Sequence, residues 1–347
     1  MKVLLNAMKY DYGDPKRGHS FEYETFYKSL VDSGYEVILF DFYTIFEKHG
    51  KKKMNEMFLE TITKESPDII FSVLYRDEFE LETLKKIKET HGKSLVWMCD
   101  DKWRFDDLGS KVCHGFNLTV TTDPDAIVKY ESLDYKDAVV AQWACMPSIH
   151  KNLGLKKEIN VSFIGQANAW RKFVIKTLRK KGIRVECFGY GWENGRISQQ
   201  EMIEIFNKSR INLNLSNSVN FNLKYALNLN LEYDRNKSLK SNIGNIFGSQ
   251  LNLLLSKKRS EDMKARFFEV TGCGGFLLTY NVDHLDEYFE LEKEIICFKN
   301  LKDLTNKIQY FLAHDKEREV IAKAGYDRTQ KDHTYAKRFE ILFKRLI

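Results

Sequence analysis

Six short apolar runs, at residues 3–7, 36–41, 68–74, 94–98, 118–122 and 139–143, punctuate the first half of the chain. Each is too short for a helix, and stretches of helical period separate them. A strand, helix, strand order repeated this often is satisfied by an open parallel sheet with helices on both faces, because each apolar strand must be covered twice. Ligands of such sheets bind beyond the carboxyl ends of the strands. The first repeat is the most legible. A polar loop with Gly13, Pro15 and Gly18 leads to His19 and to Ser20, which suits a helix N-cap. Glu22 and Glu24 favour the first turn, Phe26, Tyr27 and Leu30 form the apolar stripe, and Gly34 closes the helix.

A second series follows. Residues 161–164 read as a strand, Gly165 opens a turn with Gln166 and Asn168, and a helix carrying Arg171, Phe173, Val174 and Leu178 runs to Gly182. Further strands are expected at 185–189, 211–215, 276–279 and 295–298, and helices at 199–207, 301–312, 317–328 and 336–346. Between Pro147 and Glu158 the chain is polar, basic and aperiodic, as a linker is. A chain of 347 residues that is 43% hydrophobic has material for two cores. The expected domains are 1–150 and 158–330, with an asparagine-rich insert at 216–256 and a final helical segment at 331–347.

Charge and cysteine usage narrow the partners. The net charge of +6 comes from closely interleaved acids and bases, which suits an anionic small ligand and argues against a nucleic-acid partner. The six cysteines are scattered without a C-x-x-C pair, a pattern of reduced thiols, and no metal-ligand spacing is present. No window approaches the roughly 20 apolar residues of a membrane span, and residues 1–7 form no signal-peptide core. A cytoplasmic location is expected.

The chemistry concentrates at 257–279, KKRSEDMKARFFEVTGCGGFLLT. A helix is expected from about 261 to 271, with Met263, Phe267, Phe268 and Val270 at helical spacing, Ser260 as its cap and Gly272 as its stop. Gly274 and Gly275, which let a backbone or a ligand approach, then lead into a buried strand. Lys264, Arg266 and Glu269 on this short element suit a ligand made of phosphates and a ribose, the carboxylate accepting both ribose hydroxyls.

The run K-x-R-x-F-E-x-x-G-C-G-G-F-L-L-T resembles the C-terminal half of the spore-maturation-protein-like bacterial glycosyltransferases, best over residues 160–335. Glu261 and Glu269 are also similar to the ends of the E-x(7)-E signature of retaining GT-B enzymes; helix-dipole complementation by Glu261 and Asp262 satisfies the same residues. The resemblance implies an α/β fold of GT-B type, two Rossmann-like parallel-sheet domains facing a cleft, the first for the acceptor and the second for a nucleotide-sugar donor. It implies donor-binding roles for Gly165, Arg171, Tyr190, Lys264, Arg266, Glu269, Gly274 and Gly275. Tyr190 lies in a Gly189–Trp192 turn similar to the family's yGxGW. The last helix, with Phe339, Leu342, Phe343 and Leu346 on one face, would cross back onto the first domain; its Lys337, Arg338, Lys344 and Arg345 also fit a peripheral membrane contact.

Candidate catalytic residues are His19, in the loop after the first strand, Asp100 and Asp101 after the strand at 94–98, and Glu261. A surface histidine and a loop or capping acid fit the same positions. Asp123 and Asp125 form a D-x-D, but Pro124 favours a helix start there over a metal clamp. The expected function is metal-independent transfer of a sugar from a nucleotide-activated donor to a carbohydrate or glycoconjugate acceptor. A nucleotide-sugar epimerase, whose acids and histidines are not evident, and a binding or surface-assembly protein without turnover are the alternatives. Base, sugar, acceptor, stereochemical outcome and oligomeric state stay open.

Overall fold

Residues 3–6 are fully buried, as a strand covered on both faces must be, and they form the middle of a parallel sheet. In the computed structural model, which describes residues 1–215 and 263–347, this strand is β1 (Lys2–Asn6), flanked by β2 (Glu36–Phe40) and β3 (Ile69–Ser72). With β4 (Ser94–Met98), β5 (Leu118–Thr121) and β6 (Ala138–Val140) the order is β2-β1-β3-β4-β5-β6. Every pairing is parallel, with Leu4 between Ile38 and Ile70. The chain divides into two compact units, and this sheet belongs to the first, Met1–Ser148 with Gln330–Ile347.

Local chemistry sets the connections. Ser20 Oγ accepts the Tyr23 N–H at 3.0 Å, and the helix it opens passes through a π turn, Tyr23–Tyr27, into α1 (Lys28–Asp32). Gly34, at φ +82°, ends it, with the Gly34 N–H donating to Val31 O and the Tyr35 N–H to Leu30 O. The other helices of this unit's first segment are α2 (Phe42–Glu65), interrupted at Gly50, α3 (Leu81–His91), α4 (Asp101–Arg104), α5 (Ser110–Val112) and α6 (Ala126–Glu131). β6 stops at Val140, short of the expected end at 143. Beyond it the backbone leaves the sheet, the Cys145 N–H donating to His333 O at 2.9 Å.

The second unit, Ile149–Thr329, repeats the scheme with β7 (Ile159–Ile164), β8 (Glu186–Phe188), β9 (Ser209–Asn214), β10 (Leu277–Tyr280) and β11 (Ile296–Phe298). The order is β11-β10-β9-β7-β8, again all parallel. Its helices are α7 (Ala169–Lys180), capped by Asn168, α8 (Gln199–Lys208), opened by a Ser198–Glu201 capping box, α9 (Arg266–Gly272), α10 (Leu301–Ala313), capped by Asn300, and α11 (Asp315–Asp332). Val161, Phe163, Val174, Leu178, Ile211, Leu278, Phe298 and Ile308 build the core, each worth about 1.5–3 kcal/mol of burial. The last helix, α12 (Tyr335–Lys344), belongs to the first unit, where Phe339 meets Phe26 and Phe71 with ring centroids 6.1 and 5.7 Å apart. No helix among the described residues is long and apolar enough to cross a membrane. The insert at 216–256, and Ser260 and Glu261, lie outside the described residues.

In both sheets the chain places its second strand on one side of the first and its third on the other. The loops after β1 and β3, and after β7 and β9, therefore diverge at a switch point, where open parallel sheets bind ligands.

Candidate functional site

At the switch point of the second sheet stands Arg171, in the first turn of α7. Its Nε donates to Leu215 O at 3.0 Å, just past β9, and its Nη1 to Gln166 O at 2.8 Å, just past β7. The side chain thus ties together the two strand ends that define the switch, and it is not the solvated helix arginine that its position in the sequence also allowed. Burial, and then the charge of Arg266, hold its guanidinium down to about 10.

The loop beneath is tight. The Gly165 N–H donates to Phe188 O at 2.9 Å, and Trp192 Nε1 donates to Gly165 O at 2.8 Å. Gly189 adopts φ +121°, and a Cβ there would lie 2.5 Å from Gly165 O, so both positions serve to let β7 and β8 end side by side. Tyr190, 70% exposed, presents its ring to solvent beside this loop, its carbonyl accepting the Ala167 N–H at 2.8 Å.

α9 supplies the second cation and the acid. Arg266 Nη1 lies 2.7 Å from Glu269 Oε2, its guanidinium carbon lies 5.2 Å from the centre of the Phe206 ring, and Nη1 also contacts Met202 Sδ. Glu269 is buried at 6% exposure, which excludes a solvated helix-face acid. His150 is fully buried in the same neighbourhood; burial holds its imidazole below the usual value, while the charge of Glu269 opposes that shift and the charge of Arg266 adds to it. Lys264 is half-buried in the turn before α9, its carbonyl accepting the Phe267 N–H at 3.1 Å.

Two expectations at the end of α9 need correction. The stop is not Gly272, which is buried inside the helix, but Gly274 at φ +69°. The Gly274 N–H donates to Thr271 O and the Gly275 N–H to Val270 O, both at 2.9 Å, the paired bonds of a Schellman cap. Nor do these glycines hold space open for a ligand. A Cβ on Gly274 would lie 3.0 Å from Asn152 Nδ2, and one on Gly275 2.7 Å from Asn212 Nδ2, so the protein's own amides occupy the approach.

In the first unit the candidate residues separate by burial. Asp101 is fully buried, accepts the Tyr130 hydroxyl at 2.8 Å and is pushed up to about 6 by burial. It cannot touch a substrate, which corrects its candidacy as a base. Asp100 is half-buried and caps α4 with its carbonyl, which accepts the Trp103 and Arg104 N–H groups. Its charge reaches Tyr12 and Glu22, whose carboxyl is pushed up by burial first. His19 Nδ1 lies 2.9 Å from Glu24 Oε1, and its ring stands 4.4 Å from that of Tyr23. Asp123 accepts the Asp125 N–H at 3.3 Å, and Lys102 Nζ lies 3.4 Å from Asp125 Oδ2, so a helix start and an ammonium account for the D-x-D.

Sequence reasoning missed His150, Met202 and Phe206, and it read Glu22 and Glu24 only as first-turn acids of a helix. His150 lies in the aperiodic stretch read as linker and carries no pattern. Met202 and Phe206, four apart, are legible only as the apolar face of α8.

The glycosyl transferase-like family matches this chain over residues 171–232 and 239–344. No curated protein matches. Among solved structures, a sucrose-phosphate synthase from Thermosynechococcus elongatus is similar with a TM-score of 0.62 at 11% identity, covering 99% of this chain and 98% of that one. Anabaena HepE, in complex with UDP and glucose, is similar with a TM-score of 0.62 at 10% identity over 100% and 99% of the two chains. A DNA-modifying β-glucosyltransferase follows with a TM-score of 0.54 at 13% identity over 100% and 99%. The chain thus has the GT-B fold, and part of it, within its second half, matches the model of the glycosyl transferase-like family.

Proposed function

We propose that this chain transfers a sugar from a nucleoside-diphosphate donor to an acceptor hydroxyl. One observation carries the reading. At the switch point of the second sheet, Arg171 and Arg266 lie close enough to oppose each other's charge, and one buried carboxylate, Glu269, is set against Arg266. Among the described residues, these two guanidiniums and this one acid leave a positive charge that a diphosphate would neutralise, at the place where parallel sheets bind ligands.

In this mechanism the bond between the sugar's anomeric carbon and the diphosphate breaks, and its electron pair stays on the diphosphate oxygen. Arg171, Arg266 and Lys264 stabilise that growing charge, so no divalent metal is required. Glu269 turns part of its hydrogen bonding from Arg266 to the ribose hydroxyls; Glu261, the candidate for the transferred sugar, lies outside the described residues. The acceptor hydroxyl attacks the anomeric carbon and gives up its proton to a general base. His19 serves there through Nε2, its Nδ1 held by Glu24. The K-x-R-x-F-E-x-x-G-C-G-G run supports a likeness to the spore-maturation-protein-like glycosyltransferases.

Because HepE is described with UDP and glucose, UDP and UDP-glucose are the first probes. Calorimetric titration with UDP, CDP, GDP and ADP, with and without chelator, is expected to give binding by at least one nucleotide that survives chelation. Product analysis with the matching sugar nucleotides then separates transfer, which releases nucleoside diphosphate, from epimerisation and from binding without turnover. Absence of heat with every nucleotide overturns the reading.

A further inference from the structure

The helix that carries Arg171 has a second face, turned away from the switch point. Residues 169–184, α7 and the turn after it, hold seven cations and no acid, whereas the whole chain has a net charge of only +6. Arg171 is engaged with the Leu215 and Gln166 carbonyls; the other six are Lys172, Lys176, Arg179, Lys180, Lys181 and Arg184.

The helical period decides where they stand. Val174, Ile175 and Leu178 are buried in the core, so Lys172, Lys176 and Lys180, four apart on the other side, form a row with steps of about 6 Å. Lys172 and Lys180 are exposed, as are Lys181 and Arg184 just beyond the helix. The face continues onto α10. Lys181 Nζ donates to Thr305 Oγ1 at 3.2 Å, and the start of α10 adds exposed Lys299 and Lys302.

Acids answer this face only in part. Arg179 pairs with Glu193, Arg184 has Glu186 at 4.0 Å, and Asp303 accepts the Lys299 N–H at 2.9 Å. Among the described residues no carboxylate pairs with Lys172, Lys180 or Lys181. An ordinary solvated helix face interleaves its signs, as α11 does with Arg318 on Asp315 and Lys323 on Asp327. The last helix, also basic, is engaged internally: Arg338 Nε donates to Gln142 O at 3.1 Å, and Lys337 and Lys344 lie 3.9 and 2.6 Å from Asp332 and Glu340.

The kind of cation selects the partner. Of the three arginines on α7 and its turn, Arg171 holds two carbonyls, Arg179 holds Glu193 and the Val185 carbonyl, and Arg184 stands beside Glu186. The exposed remainder is lysine, a hydrated point charge that responds to a negative field without the planar fork that reads a phosphate or a base edge. A row along the convex outside of one helix matches a plane of charge better than a strand that must be tracked along a groove. No helix among the described residues is long and apolar enough to cross a membrane, so α7 would meet a bilayer at its surface. We infer that the outer face of α7, with the start of α10, adsorbs to a bilayer rich in anionic phospholipid. The inference does not draw on the sugar-transfer reading.

The test is co-sedimentation of the full chain with vesicles of phosphatidylcholine containing about one third phosphatidylglycerol, beside vesicles of phosphatidylcholine alone. Binding is expected only to the anionic vesicles. It is expected to be lost as salt rises from about 0.1 M to about 1 M, where the screening length falls from about 10 to about 3 Å. Lys172→Gln with Lys180→Gln is expected to weaken vesicle binding at least about tenfold, since each lysine near such a surface contributes about fivefold. Lys172→Arg with Lys180→Arg, which keeps the charge, is expected to bind as the parent does. Lys337→Gln with Lys344→Gln removes the same charge from α12 and is expected to weaken binding less than about threefold. All three variants are expected to share the parent's melting temperature. No binding to anionic vesicles, equal binding to neutral ones, full binding by the α7 glutamine variant, or an equal loss in the α12 variant overturns the inference. Tighter binding to a duplex DNA fragment than to the vesicles, weakened by the same α7 substitutions, also overturns it and assigns the face to nucleic acid.

Discussion

Arg266 Nη1 and Glu269 Oε2, three residues apart on α9, form an ion pair at 2.7 Å whose carboxylate is 6% exposed. The pair is local in sequence but buried only because α8 places Met202 and Phe206 against the guanidinium. On the proposed reading, the pair would couple donor binding to stability. Removing one partner of a buried pair leaves the other uncompensated, at about 3–5 kcal/mol. Glu269→Ala therefore loses stability as well as donor affinity. Glu269→Gln, which keeps the shape, is the cleaner probe and is expected to weaken UDP binding about tenfold with a smaller shift in melting temperature, read by calorimetry and thermal unfolding.

Arg171 makes its two hydrogen bonds through different nitrogens, to carbonyls on either side of the switch point. A lysine keeps the charge but not the fork. Arg171→Lys is expected to lose about 1–2 kcal/mol of stability, from one unmade bond to a carbonyl, and to weaken UDP binding. Equal melting temperatures for the two proteins would show that the bridge does not stabilise the unit.

Asp101 gives a pH dependence with a definite sign. Its folded carboxyl, pushed up to about 6 by burial, lies above the value of an unfolded aspartate, near 3.9. Ionisation therefore costs stability. The penalty is absent below about pH 4, grows through the interval to about 6, and is complete above it, at about 3 kcal/mol. Asp101→Asn retains an acceptor for the Tyr130 hydroxyl and removes the penalty. Its stability advantage over the parent chain is expected to be larger at pH 8 than at pH 4.5, measured by thermal unfolding at the two values.

Gly189 combines a φ of +121° with a Cβ position 2.5 Å from Gly165 O. Both the dihedral and the clash oppose any side chain. Gly189→Ala is expected to destabilise the second unit by about 2–4 kcal/mol and to weaken UDP binding, because the β7 loop that carries Gln166 must shift. Gly182→Ala, at φ +78° with nothing within 4 Å of its Cβ, isolates the dihedral cost and is expected to lose less.

The order of strands and helices was legible in the sequence because each element declares itself locally. An apolar run such as 3–7 buries on both faces, Ser20 and Asn168 cap the helices that follow them, and Gly34 can end a helix because it alone tolerates a positive φ without strain. Lys264, Arg266 and Glu269 were visible for the same reason, as a short pattern on one element. What the tertiary structure decided was every relation between residues distant along the chain. Asp100 and Asp101 look alike in sequence, yet one caps a short helix while the other is sealed under Tyr130. Arg171 became a bridge only when β7 and β9 were paired, and Tyr12 met Tyr75 only because β3 lies beside β1. Local propensity depends on a few neighbouring residues, whereas burial, charge balance and strain depend on which strand lies beside which.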